Sequence, residues 1–394
     1  MDKPLKILHL FDFYLPETMN WAYEMMRHTP NVENWVAAPW IVRNAYFDAD
    51  FRFFVRDLQR VPGFFPKSEW TASWLSRNLI RLERIWPLYK NWLFQQLKND
   101  LPDVLHAHFG PVGCHYLDLA QQLNIPLVAS FYGYDFQRLL FEKPGYVAKY
   151  QELFAQAAAI TTPGSFTPKL LESQGCPPEK ITPIPLSIDP DKFPRHFSVK
   201  QPGKLNLVQV ATITEKKGHF DSLEALRLAL PRCPKLHLTI AGELQDKVLA
   251  NKMNQFIKAN HLEPHVTWLN AVPHGTLPEF FQQFEVFIHP SCTTEKRDTE
   301  GSPVVILEAQ ATGLPVLATH HSDIPVQVLH GVTGLLTPEN DPAALAEGME
   351  RFYWMGDVEY QGFSGAARRH VEVNFDVRKN GSNLFSLYKS TDKF

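Results

Sequence analysis

Cysteine is scarce in this chain of 394 residues: Cys114, Cys176, Cys233 and Cys292 stand far apart, with no C-x-x-C pair. That excludes a zinc ribbon or a thioredoxin-type site and suits free thiols in a reducing compartment. Long hydrophobic runs are missing too. The most apolar stretch, residues 302–322, is interrupted by Glu308 and by Gly313-Leu314-Pro315, so it does not read as a membrane span. The early run at 7–11 contains His9 and is followed by Asp12, too short for a signal-peptide core. A soluble, cytoplasmic protein is the expectation. Excess positive charge is lacking as well: 39 Lys and Arg face 42 Asp and Glu, a net charge of −3, so no basic field exists to hold nucleic acid. No G-x-G-x-x-G, P-loop or G-x-S-x-G occurs, which argues against dehydrogenase, NTPase and α/β-hydrolase readings.

What is there is an ordinary globular composition, 44% hydrophobic and 21% charged. The length suggests two to three domains. Short apolar runs at 5–11, 104–108, 126–131, 158–162 and 181–188 read as strands, with amphipathic stretches such as 146–156 between them. This alternation predicts βαβ units and a parallel sheet. Pro190, Pro194 and Pro202-Gly203 then mark a linker, and the alternation restarts with strands at 205–211, 236–242, 265–269, 286–290, 315–319 and 334–337. Asp341-Pro342 is a helix start signal, and 377–390 reads as a terminal helix. The predicted architecture is two α/β domains, 1–198 and 199–372, with 373–394 as a final helical segment.

Residues 35–92 hold six of the nine tryptophans, and 36–98 carries a charge of about +5. Such a segment suits contact with an anionic membrane surface or a lipid-phosphate acceptor. It equally suits helices packed into the first domain with Arg stems covering aromatic surface.

The most informative stretch is 299–309, T-E-G-S-P-V-V-I-L-E-A. Ser302 can cap a helix with Pro303 at its first position, so that the amides near Val304 and Val305 point at an anion such as a phosphate. Glu300 precedes that helix and Glu308 lies about 7–8 Å along its axis, a span that fits a diphosphate at one end and a ribose at the other. Two surface glutamates on a capped helix would give the same pattern. Lys216 and Lys217 follow the 205–211 strand, where open α/β sheets bind ligands and where a lysine can stabilise a leaving diphosphate.

At these residues the chain resembles glycosyltransferase family 4. The run from Glu300 to Thr319, Glu215-Lys216-Lys217-Gly218 and Gly331-Val332-Thr333-Gly334-Leu335-Leu336 look like its donor-site signatures. Ile7-Leu8-His9-Leu10-Phe11, His106-Ala107-His108-Phe109-Gly110 and Phe131-Tyr132-Gly133-Tyr134-Asp135 resemble the exopolysaccharide, colanic-acid-type subgroup. The resemblance implies a GT-B fold: two Rossmann-like domains facing a cleft, with the C-terminal helix crossing back to the first domain. It implies retaining transfer from a nucleotide sugar to a glycan or lipid-linked acceptor, with no cofactor and no essential metal, by front-face attack assisted by the leaving phosphate. Carried onto this chain, Lys217 binds the diphosphate, Glu308 the ribose, Glu300 the donor sugar, and the Gly301, Ser302, Pro303 and Val304 backbone the phosphate. The base lies near Asn270 to Pro273, and His108, with Thr18, Tyr132 and Asp135, meets the acceptor hydroxyl. In this chain Thr212 stands where the family often has Arg, leaving Lys216 or Arg297 to supply the second positive charge. Tyr132 stands where many members have a catalytic His, and Pro16-Glu17-Thr18-Met19-Asn20 replaces a Gly-Gly loop.

Three weaker signals remain. Asp48-x-Asp50 matches a metal motif of another fold but follows no predicted strand. His106-x-His108 could chelate a metal, since alternate strand residues share a face, but no third ligand is near in sequence, and His108 fits an acceptor-site hydrogen-bonding group or a satisfied structural histidine equally. Asp135 fits an acceptor-hydroxyl partner or a helix cap. A nucleotide-sugar epimerase on the same fold, or a non-catalytic partner in a polysaccharide assembly complex, are the alternative functions.

Overall fold

The computed structural model describes residues 3–14, 19–41, 51–55, 85–197 and 199–391. Within these, the chain forms two compact units.

The first unit is built on a seven-stranded parallel sheet in the order Arg52–Val55, Val32–Ala38, Leu5–Leu10, Val104–His108, Leu127–Ser130, Ala159–Thr162, Ile181–Pro183. The strands from Val104 to Thr162 are buried along their whole length. That is why they read as unbroken apolar runs rather than alternating ones. Helices Gly110–Leu123 and Tyr146–Gln156 cover one face, and the core centres on Leu8, Trp35, Tyr116, Phe131 and Leu153. Gly113 permits this packing, since a Cβ there would already lie 3.1 Å from Ala129 and Leu153.

Val32–Ala38 and Arg52–Val55 were not expected from the sequence. Glu33 and Asn34 interrupt the first apolar run, and the second strand shows only Phe54 to the core. Both fall where the helical reading of the tryptophan-rich segment had been placed. Only Ile85–Leu97 of that segment is a described helix. Trp35 is fully buried, with the Arg52 guanidinium 4.3 Å from its ring centre. Trp70, Trp74, Asp48 and Asp50, and most of the basic residues between them, lie outside the described residues.

The second unit holds a six-stranded parallel sheet in the order Val266–Leu269, Leu236–Ala241, Leu205–Val210, Val286–His289, Val316–Thr319, Gly334–Thr337. In both sheets the order reverses beside the unit's first strand, the Rossmann arrangement that creates a ligand crevice at the strands' carboxyl ends. Helix Pro342–Trp354 starts as its sequence predicts, Asp341 accepting a hydrogen bond from the Ala344 amide at 2.9 Å.

The units are divided differently from the sequence expectation. The change falls between Ile184 and Pro185 rather than at 198, and the last stretch of the first unit begins at Asn380 rather than 373. Residues 163–167 belong to the second unit. There Asp323 accepts hydrogen bonds from the Phe166 amide at 2.8 Å and the Thr167 hydroxyl at 3.2 Å. Gly164 lies so close that a Cβ would sit 2.2 Å from an Asp323 carboxylate oxygen. No described helix is long and apolar enough to cross a membrane.

Candidate active site

In the second unit the crevice lies between Leu205–Val210 and Val286–His289. After the first of these strands the chain makes a single turn, Glu215–Lys217, and enters helix His219–Ala229 through Gly218. Gly218 has φ +65°, and a Cβ there would lie 1.9 Å from the Pro290 carbonyl oxygen. Only glycine lets the lysine turn pack against the end of the neighbouring strand. Gln209 donates to the Lys217 carbonyl at 2.8 Å, and the Cys292 amide to that of Lys216 at 2.9 Å.

Two ion pairs then form with the segment leading to helix Val304–Ala311. Lys217 Nζ pairs with Glu300 Oε2, and Lys216 Nζ lies 3.2 Å from Asp298 Oδ1. Burial alone would raise the Glu300 carboxyl pKa, but the Lys217 and Lys216 charges and His289 outweigh it and hold the value at about 2. Thr212, on the same loop, is half-buried.

Glu300 is also fixed through its backbone. Its N–H donates to His321 Nε2 at 2.9 Å, while His321 Nδ1 lies 2.7 Å from Glu339 Oε1. An amide can only donate, so Nε2 is bare and Nδ1 carries the proton toward the carboxylate. Glu339 also accepts from the Thr293 amide at 2.7 Å, tying three loops together. The buried Ser291 and Thr299 hydroxyls and both ring nitrogens of His289 have no hydrogen-bond partner among the described residues.

The helix itself begins one residue later than expected. Pro303 is its N-cap, without a side-chain cap, and Ser302 instead accepts a hydrogen bond from Gln327 at 2.9 Å. The capping role read for Ser302 is therefore corrected: Gln327 takes its hydroxyl. The first-turn amides of an α-helix have no partner within the helix, which leaves those of Val304 and Val305 without intrahelical bonds. Gly301, Ser302 and Pro303 form the buried approach to it. Glu308 is 3% exposed, and its Oε1 lies 2.7 Å from His274 Nε2. Asn270 is exposed, on the loop that ends at His274.

In the first unit the carboxyl ends of Leu5–Leu10 and Val104–His108 carry three buried histidines. His9 Nδ1 lies 3.0 Å from His108 Nε2, and His9 Nε2 lies 3.0 Å from Asn34 Oδ1. His108 Nδ1 lies 2.8 Å from the Tyr132 hydroxyl. His106 bonds Tyr388 and Ser130, each at 2.6 Å. Burial holds all three imidazoles below their ordinary pKa: His9 falls to about 4, and His106 and His108 well below the usual value.

Two sequence assignments change here. His108, read either as an acceptor-site group or as a satisfied structural histidine, is 3% exposed with both ring nitrogens engaged by His9 and Tyr132, the second of those arrangements. Asp135 is fully buried and accepts from the amides of Gly110, Tyr132 and Gly133 at 2.9–3.0 Å. It braces the loop rather than facing solvent. Tyr132 remains partly exposed. Thr18 lies outside the described residues. The third histidine missing from the H-x-H motif is His9, whose ring nitrogen lies within 4.8 Å of those of His106 and His108.

His9, Asn34, His274, His321 and Glu339 were not singled out from the sequence. Each acts through a partner distant in the chain, and only His9 lay inside a motif that could have drawn attention to it.

Two Rossmann units, one with a lysine–glutamate pair and a helix N-terminus at its crevice, define the GT-B class of glycosyltransferases. Known structures share this fold: the Anabaena protein HepE in complex with UDP superposes with a TM-score of 0.71 at 15% identity, covering 98% of this chain and 100% of that one. A Rickettsia africae glycosyltransferase gives 0.73 at 15% identity, covering both chains completely. The description Glycosyltransferase Family 4 matches residues 36–192, and Glycosyl transferases group 1 matches residues 192–363. A Salmonella typhimurium protein named for a glycosyltransferase of colanic acid biosynthesis is 32% identical over 73% of this chain and 70% of its own length. The amylovoran biosynthesis glycosyltransferase of Erwinia amylovora is 31% identical over 70% and 67%. The chain belongs to the family 4 glycosyltransferases.

Proposed function

We propose that this glycosyltransferase transfers a sugar, with retention, from a nucleotide-sugar donor to a saccharide or lipid-linked saccharide during bacterial surface-polysaccharide synthesis. The observation that carries the reading is the Lys217–Glu300 pair at the crevice, followed by a helix whose Glu308 faces His274. When a diphosphate enters, Lys217 exchanges its carboxylate partner for phosphate oxygens. Glu300 is then released toward the sugar, where its charge stabilises an oxocarbenium-like transition state. The amides of Val304 and Val305 hold the other phosphate oxygens. Glu308 exchanges His274 for the vicinal ribose hydroxyls, which it can accept together.

With Lys217 and the helix N-terminus neutralising the leaving group, the reaction requires no divalent metal. The relatives' names support the polysaccharide context, and HepE with UDP supports a nucleotide donor. The protein works in the cytoplasm, and the basic, tryptophan-rich residues 35–98 give it weak affinity for anionic membrane. Calorimetric titration with UDP-, GDP-, ADP- and dTDP-sugars in EDTA tests the proposal. Micromolar binding of one nucleotide class is expected, weakened in Glu308→Ala and Lys217→Ala. Wild-type affinity in both variants would refute the site.

A further inference from the structure

In the first unit the hydrogen-bond chain from Asn34 to Tyr132 has one direction, and its atoms settle it. The Asn34 amide nitrogen donates to the Met26 carbonyl at 2.9 Å, and a carbonyl can only accept. The side chain's oxygen therefore faces His9 Nε2 at 3.0 Å, and that nitrogen carries the proton. His9 is buried and neutral, so its Nδ1 is bare and accepts from His108 Nε2–H at 3.0 Å. His108 is buried and neutral in turn, so its Nδ1 is bare and accepts the Tyr132 O–H at 2.8 Å. Ring packing restrains the last two members: Phe11 stacks on His108 at 4.2 Å with an interplanar angle of 4°, while Trp21, tilted, and Phe109, edge-on, pack against Tyr132 at 4.3 and 5.0 Å. Behind this chain Ser130 bonds His106 and Thr161 and also reaches the Tyr132 hydroxyl, so the two sets meet at the phenol oxygen; with its own proton committed to His108, that oxygen can only accept from Ser130.

We propose that His9 and His108 are positioning residues that turn the Tyr132 hydroxyl proton inward, so that the phenol oxygen meets a substrate hydroxyl as a hydrogen-bond acceptor and never as a proton donor. The role toward substrate rests on the glycosyltransfer reading above; the tautomers do not. Tyr132 thus selects a partner that brings its own proton, such as a sugar hydroxyl, and discriminates against a partner offering only acceptor atoms. A histidine at position 132 could present either kind of nitrogen. The tyrosine, with its proton committed to His108, presents one. Neither His9 nor His108 touches substrate, since both are buried.

The first test is two-bond proton–nitrogen correlation on the full-length protein labelled with 15N-histidine, without ligand. Both His9 and His108 are expected as neutral Nε2–H tautomers. In His9→Ala, His108 loses its acceptor and its tautomer mixes. In His9→Asn the side-chain oxygen takes the place of Nδ1, and the Nε2–H form of His108 returns. An Nδ1–H tautomer at either residue overturns the proposal, as does stoichiometric zinc binding by the wild type that His9→Ala abolishes. The second test is donor hydrolysis, in which water replaces the acceptor hydroxyl, using whichever of UDP-, GDP-, ADP- or dTDP-glucose turns over. Tyr132→Phe and His9→Ala should each lower kcat about tenfold, the worth of one good hydrogen bond, with donor KM unchanged and His9→Asn restoring the rate. An unchanged rate in Tyr132→Phe would remove the substrate role and leave the tautomers standing. No hydrolysis of any donor by the wild type would count against the proposed function, and the tautomers alone would then decide the relay.

Discussion

Replacing Lys217 by methionine isolates what the ion pair at the crevice contributes. The substitution keeps the length of the side chain and strands the Glu300 carboxylate, whose side chain is 16% exposed. Breaking a fully buried pair by removing one partner costs about 3–5 kcal/mol, and partial access of water reduces the expectation here to about 2–3 kcal/mol. Glu300→Gln costs less, about 1 kcal/mol, because the flexible lysine stem can carry its charge to water. The double variant leaves no stranded charge and should also cost about 1 kcal/mol. The singles then overshoot the double by about 2–3 kcal/mol, well beyond the additivity of independent sites. Urea denaturation at pH 7 followed by circular dichroism measures all three. Agreement between the double variant and the sum of the singles to within about 0.5 kcal/mol would show that the pair is not formed in solution. It would also remove the exchange of partners on which the proposed reaction depends. The pH dependence has a fixed sign. Glu300 is held at about 2 against an ordinary 4.5, so its contribution is complete above pH 4.5 and is lost as the pH falls through 2.

Three further outcomes are expected. His9, at about 4, and His219 and His289, each at about 3, are neutral in the fold and protonate near 6.5 when unfolded. Stability should therefore fall as the pH drops below 6.5, by up to about 4 kcal/mol per pH unit for three protons, less about 1.4 kcal/mol per unit for each of Asp12 and Asp221, whose buried carboxyls are raised to about 7 and about 6; a urea midpoint that rises between pH 7 and 5 would contradict the burial of the histidines. Glu308→Ala should weaken nucleotide binding about tenfold in calorimetry while sparing inorganic diphosphate, because the ribose contact alone is lost. Gly218→Ala should cost at least about 2 kcal/mol in the same urea assay, combining a left-handed backbone with the contact at Pro290, and should weaken diphosphate binding by displacing Lys217.

How much of this was legible in the sequence varied with how local the physics was. Strands buried on both faces, such as Val286–His289, announce themselves as apolar runs, and Asp341-Pro342 marks its helix because cap and amide are neighbours. Val32–Ala38 was missed because Asn34 is polar, and that polarity serves His9, whose presence the strand itself does not reveal. The helix at Val304 was placed one residue early because the competing partner of Ser302 is Gln327, far along the chain. Lys217, Glu300 and Glu308 could be singled out from the sequence because their order along a strand–turn–helix unit is a local pattern, and the Lys217–Glu300 contact joins two of them; the roles assigned to them belong to the proposal. The histidines that hold Glu300 and Glu308, and the burial of His108 and Asp135, are tertiary facts with no local signature.

The interleaving of the two units has an evolutionary meaning. The first unit is three separate stretches of chain, 1–162, 168–184 and 380–394, and the second takes 163–167 as well as 185–379. The last stretch is bound into the first unit's chemistry: Tyr388 bonds His106 at 2.6 Å, and a Cβ at Gly381 would lie 2.6 Å from the His28 carbonyl oxygen. Recombination between relatives at one crossover point would therefore part His106 from Tyr388, or Asp323 from Thr167. The heritable module that specifies the first unit is discontinuous in the gene. A working hybrid must import the chain's final residues together with its beginning, and must leave 163–167 with the unit that supplies Asp323.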